Sequence, residues 1–245
     1  MGQAAAVQAL RDRIRALEGP VPDDGHAPLT LGVPALDGHL PDGGLRCPGV
    51  HELLGEEADA ARIGFAAVLL GRRADGPVFW SRGHPPGGGP ALNGLGLCRF
   101  GLDPRRLLLN QTGQPAESLW ILEEAARCSA FAAVVGEGVT PTPMQARRLQ
   151  LAAEAGGTCL LLLPPPQSRP PPSLAVTRWR VASLPGGRAG GRGGGWIGPP
   201  RWRVTLLRCR GGLPGDWVLE WDDEALRLDL VDDMADRPLA EAVFG

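Results

Sequence analysis

A glycine turn is where this chain comes nearest to a recognisable chemistry. An apolar run, Val50 to Leu54, ends at Gly55; the loop Gly55-Glu56-Glu57-Ala58-Asp59 follows, and a helix-like apolar run extends from near Ala60 to Arg73. A strand, a glycine and a helix in that order make the turn at which backbone amides and a helix N-terminus hold phosphate. The side chains do not match that use. A working loop of the form GxxxxGK[ST] sends a lysine to the outer phosphates and a hydroxyl to magnesium. Here Glu56, Glu57 and Asp59 place three carboxylates in the turn, where they would repel a triphosphate. Arg62 supplies one positive charge, while Ile63 and Gly64 offer no hydroxyl. The shape of a nucleotide site is present and its chemistry is missing.

Other reactive groupings are thin. The apolar run Ala132 to Val135 leads into Gly136-Glu137, so Glu137 stands where a metal-binding acid would close a nucleotide site, or is simply exposed at the carboxyl edge of a sheet. After Val78 to Ser81 come Arg82-Gly83-His84, with no carboxylate to activate water. The histidines at 26, 39, 51 and 84 lack metal-ligand spacing, and no GxSxG elbow occurs. His51 and Glu52 are consecutive on a strand and point to opposite faces. Cysteines 47, 98, 128, 159 and 209 are scattered and never paired as CxxC, which argues against a disulfide scaffold and against zinc. Cys159, inside an apolar strand, reads as a small core residue. The expectation is no catalytic residue, no metal and no cofactor.

Two similar segments carry the livelier signal: Thr177-Arg178-Trp179-Arg180-Val181 and Pro200-Arg201-Trp202-Arg203-Val204. On strands the arginines share one face and tryptophan takes the other. One reading is a half-exposed hairpin with Trp in the core and Arg solvated. Another is a basic face for phosphate formed by Arg178, Arg180, Arg201 and Arg203, aided by Arg188 and Arg192. A third is contact with the acidic C-terminal region. Between Glu154 and Asp216 there are nine arginines and no acid; from Asp216 onward there are ten acids and two arginines. Net charge is −2, so no global field favours polyanions. The chain has no lysine, which excludes a Walker lysine, a Schiff base and a Ser–Lys dyad.

The elements that must position these residues alternate. Strands are expected at 50–54, 78–81, 107–110 (buried), 132–135 and 158–163, with helices at 60–73, 91–100, 116–128 and 143–155, the last closed by Gly156-Gly157. Apolar strands alternating with helices indicate α/β architecture: a mainly parallel central sheet with helices on both faces. Pro164 to Pro172 cannot be a central strand. Runs 176–183, 202–210, 217–221 and 226–230 then read as antiparallel strands extending the sheet. Residues 185–200 read as a glycine-rich loop. Ala4 to Glu18 reads as an amphipathic helix through Val7, Leu10, Ile14 and Leu17. No run reaches a membrane span of ~20 apolar residues, and no signal-peptide pattern is seen, so a cytoplasmic protein is expected.

The order of these pieces resembles the RecA core, and more closely the ImuA family of RecA-like mutagenesis proteins, over residues 29 to 221. LTLGVPALDGHLPDGGL is similar to the segment leading into the RecA phosphate loop, and VHELLG to the strand before it. HELLG, the lysine-free loop, AAVVGE, RRLQLAAEAGGTCLLLL, TRWRV and PRWRVTLLRCRGGLPGDWVLEW form the ImuA-like fingerprint. The resemblance implies three parts: an N-terminal helix and linker (1–28), a RecA-like core (29–221) and an acidic tail (222–245). It implies a non-catalytic adaptor in SOS-induced, error-prone translesion DNA synthesis, working in the DNA-damage response. Its implied partners are an ImuB-like relative of Y-family polymerases and an error-prone replicative-type polymerase subunit, with RecA a further candidate and DNA contact weak or indirect. Leu10, Ile14 and Leu17, with Leu228, Leu230 and Val231 in the tail, are the expected docking residues. Gly55, Glu56, Glu57, Asp59 and Arg62 would be a vestigial nucleotide loop, with Glu137 at the vestigial metal-acid position. Two alternatives stand: a SulA-like division inhibitor that binds FtsZ, and a divergent ATPase using Arg62 and Glu137.

Overall fold

The computed structural model of the protein describes residues 27–73, 76–83, 92–186 and 198–231. In chain order its elements are α1 (Pro34–Asp37), β1 (Gly49–Leu54), α2 (Ala61–Arg72), β2 (Val78–Gly83), α3 (Gly94–Arg99), β3 (Leu107–Thr112), α4 (Pro115–Arg127), β4 (Ala133–Glu137), α5 (Pro143–Gly156), β5 (Cys159–Leu163), β6 (Thr177–Leu184), β7 (Arg201–Cys209), β8 (Gly215–Asp222) and β9 (Arg227–Leu230). Among the described residues the strands form one sheet in the order β3-β2-β4-β5-β1-β6-β7-β8-β9. Pairing is parallel from β3 to β6 and antiparallel from β6 to β9. The mixed α/β architecture read from the sequence is the one observed. Strand β6 differs from expectation on one edge: it runs parallel to β1 and antiparallel only to β7.

The two sheet faces are covered differently, and sequence explains how. The central strands β1 and β5 are buried along their whole length. On one face, Leu53, Trp80, Val135, Leu161 and Trp179 pack with α2 through Phe65 and Leu69. On the other, Val50, Phe79, Val134 and Leu160 meet α4 and α5 through Leu122, Leu149 and Ala153. Helices α4 and α5 approach closely because Gly156 lacks a side chain: a Cβ there would lie 2.1 Å from the Ala126 carbonyl oxygen. Helix α5 is bounded by a Thr142/Gln145 capping box and by Gly157 at φ 69°.

Beyond β1 no such helix pair covers the second face among the described residues, and burial there alternates. Trp179, Trp202 and Trp221 point to the α2 face, stacking against Phe65 and Phe100, while the arginines point the other way. The expectation that 107–110 is a buried strand is corrected: β3 is the sheet's outermost described strand, and Leu108 and Leu109 are more than half exposed. Strand β9 carries the sheet past residue 221 to Leu230.

Candidate functional site: a nucleotide loop held by its own side chains

Strand β1 delivers the chain to Gly55 at the carboxyl end of the parallel strands, where ligands bind in open α/β sheets. Counted from Gly55, the second glycine, the lysine and the hydroxyl of the phosphate-loop pattern fall on Ala60, Ala61 and Arg62. The hydroxyl position is therefore Arg62 and not Ile63 or Gly64, a register that the spacing alone could have shown.

Asp59 takes the place at the start of α2 that an anion would occupy. One carboxylate oxygen accepts the Ala61 N–H at 2.8 Å, and so satisfies a donor of the helix N-terminus. The same carboxylate accepts the Ser183 N–H at 2.8 Å and the Ser183 hydroxyl at 2.6 Å. Partial burial raises its pKa, but the Ser183 hydroxyl and amide, the Ala61 amide and nearby Arg62 outweigh burial and hold it below the ordinary value. The loop is thereby tied to β6, with Ala58 in the left-handed region at φ 59°. Glu56 and Glu57 are exposed.

Arg62 fills the remaining space. Its aliphatic stem lies over Gly55, where an added Cβ would meet Cδ at 2.9 Å. Its guanidinium donates to the Pro164 carbonyl at the end of β5. Burial lowers its pKa, opposed by the carboxylates of Glu137 and Asp59. Glu137 is engaged as well: it accepts the Trp80 indole N–H at 3.0 Å and Arg82 at 2.9 and 3.2 Å, with both partners of the ion pair largely buried. Its lone pairs serve a cross-strand clamp between β2 and β4, where Arg82 and Glu137 are register partners.

The arginine face is interleaved with acids. Arg178 pairs with its β1 neighbour Glu52 at 2.7 Å, and both are largely buried. Arg201 pairs with its β8 neighbour Glu220 at 2.5 Å, and Arg203 lies 3.9 Å from Asp216. Sequence placed these arginines on one face but could not see the acids across the strands. Arg180 and Arg203 remain exposed; Arg188 and Arg192 lie outside the described residues. Arg178, Glu52, Arg180 and Gly55 line a cleft closed on its other side by Pro164 and Pro172.

The expected docking residues divide three ways. Leu10, Ile14 and Leu17 lie outside the described residues. Leu228 is a correction: it is 3% exposed and belongs to the main core, because strand alternation turns it inward beside Trp221. Leu230 is exposed and Val231 half-buried.

Fold and site together define a mixed α/β protein in which the loop after β1 is held by its own aspartate and arginine. No family model matches the chain. Two relatives do: Protein ImuA of Caulobacter vibrioides strain NA1000 / CB15N and Protein ImuA of strain ATCC 19089 / CIP 103742 / CB 15, each 36% identical over 236 residues, covering 89% of this chain and 94% of the relative. The chain belongs to the ImuA family. Among the described residues no helix is long and apolar enough to cross a membrane.

Proposed function

We propose that this protein is a non-catalytic RecA-like adaptor of SOS-induced, error-prone translesion DNA synthesis. The reading rests on family membership and on one observation above the rest: the Asp59 carboxylate sits on the helix N-terminus that a phosphate would need. A second anion there would face that carboxylate at close range and in partial burial. The reading carries no ATP hydrolysis, no cofactor and a cytoplasmic site of action.

The partners proposed are an ImuB-like polymerase relative and, through it, an error-prone replicative-type polymerase subunit. Docking is placed on Leu10, Ile14 and Leu17 with Leu230 and Val231. Truncation to test this belongs after Val231, because β9 pairs with β8 and its removal would strip the core of Leu228. Co-purification with the ImuB-like partner is the test. Residues 20–231 should lose partner binding, as should full-length protein carrying Leu230→Ser and Val231→Ser together. Undiminished binding by both would sink the placement. Titration calorimetry with millimolar ATP and magnesium should give no heat of binding; saturable heat abolished by Arg62→Ala would favour the ATPase alternative instead.

A further inference from the structure

Far along the strands from the glycine loop, the fold gathers three residues that sequence spacing had kept apart. Cys47 lies on the bend before β1, His51 on β1 and Cys159 at the start of β5. The parallel register sets Cys159 opposite Gly49, two residues before His51. Gly49 brings no side chain, and a Cβ there would lie 3.6 Å from His51 Nε2 and 3.0 Å from the Arg46 carbonyl oxygen. Two thiols and an imidazole therefore share one pocket: their ligand atoms all lie within 4.8 Å of one another. Both cysteines are free, and all three residues are 0–3% exposed.

The geometry points to a site for a thiophilic divalent cation of the zinc class, held by Cys47 Sγ, Cys159 Sγ and His51 Nε2. The chemistry of the donors favours it. Two sulfurs and one imidazole nitrogen are the set that borderline-soft cations select. Two thiolates cancel a dication, so the occupied site is neutral, as complete burial requires. The other imidazole nitrogen already has a partner. His51 Nδ1 is 2.8 Å from Thr177 Oγ1, which also accepts the Trp179 indole N–H at 2.7 Å. That is how a metal-bound imidazole is oriented through its other nitrogen. Without a cation, Nε2 lies 2.8 Å from the Arg46 carbonyl and must donate to it, since the carbonyl only accepts. On binding, the His51 proton shifts to Nδ1 and is donated to Thr177, and the two thiols release theirs. The Arg46 carbonyl, freed from Nε2, is left as a further oxygen donor beside the site. Cys47 lies on a bend outside the strands, where the backbone is not fixed by sheet pairing.

This inference is independent of the adaptor role. The full chain would be purified without chelator and its zinc measured by mass spectrometry, then exchanged with cobalt(II). The expected result is one zinc per chain, and a thiolate-to-cobalt charge-transfer absorption after exchange. Cys47→Ser and Cys159→Ser should each abolish the absorption, and the Cys98→Ser/Cys128→Ser double variant, which removes two exposed thiols, should keep it. Circular dichroism would show whether each variant is folded. Absence of the charge-transfer band in the folded wild-type chain would overturn the site. So would its persistence when Cys47 or Cys159 is replaced.

Discussion

At the scale of single residues, the site is explained by carboxylates that have found internal donors. Asp59 joins a helix terminus to a strand, so Asp59→Ala should lower stability by about 1 kcal/mol, the usual worth of an N-terminal cap with largely solvent-screened charge. The pH dependence has a definite sign. A carboxylate held below its ordinary value stabilises the fold above the unfolded pKa, and loses that contribution as pH falls through the lower folded value. The gap in urea midpoint between wild type and Asp59→Asn should therefore be full at neutral pH and close at the acid end, below the ordinary carboxylate value of about 3.9. Glu137 offers a second case. Replacing it with alanine removes the acceptor shared by Trp80 and Arg82, at about 1.5–3 kcal/mol for charged hydrogen bonds. Chemical denaturation would measure the loss, and Trp80 fluorescence should change in the native state.

At the scale of elements, β9 and the α4–α5 contact make predictions that separate packing from docking. Leu228→Ala should cost about 2–5 kcal/mol, as truncation of a buried leucine does, while Leu230→Ala should change the denaturation midpoint little. Gly156→Ala should destabilise too, because the added methyl meets backbone rather than a movable side chain. Most elements were legible in the sequence. Apolar runs bounded by Gly and Pro gave β1, β2, β4 and β5, and the alternation of Arg with Trp correctly set the faces of β6 and β7. Three features were not legible, for physical reasons. Leu107-Leu108-Leu109 has the composition of a buried strand, and only sheet order reveals that it is outermost. The ion pairs of Arg178 and Arg201 depend on cross-strand register, which short-range spacing does not contain. The meeting of Cys47, His51 and Cys159 depends on β1 lying beside β5, over a hundred positions away in the chain.

At the scale of the whole molecule, part of the charge asymmetry of the sequence is met inside the sheet. Arg201 with Glu220 and Arg203 with Asp216 bring two arginines of the arginine-rich region against acids that follow it, and Arg99 pairs with Asp223 from outside that region. Among the described residues Arg180, Arg203 and Arg208 are exposed on β6 and β7, with Arg203 3.9 Å from Asp216 and Arg208 donating to the Ser173 carbonyl. Any binding to single-stranded DNA should therefore be weak and should fall with salt. The Arg180→Gln/Arg203→Gln variant should lower the salt slope by about 0.7 for each arginine that contacts phosphate. Fluorescence anisotropy at several salt concentrations would measure it.

The tie between Asp59 and Ser183 also bears on what the loop could be made to hold. Introducing lysine at 61 and threonine at 62 would still leave a carboxylate seated on the first amide of α2. Removing Asp59 first would release the loop from β6 before any nucleotide could hold it in place. The internal anion is thus part of the fold's own support: an outside anion could take its place on the helix N-terminus only by breaking the tie to β6.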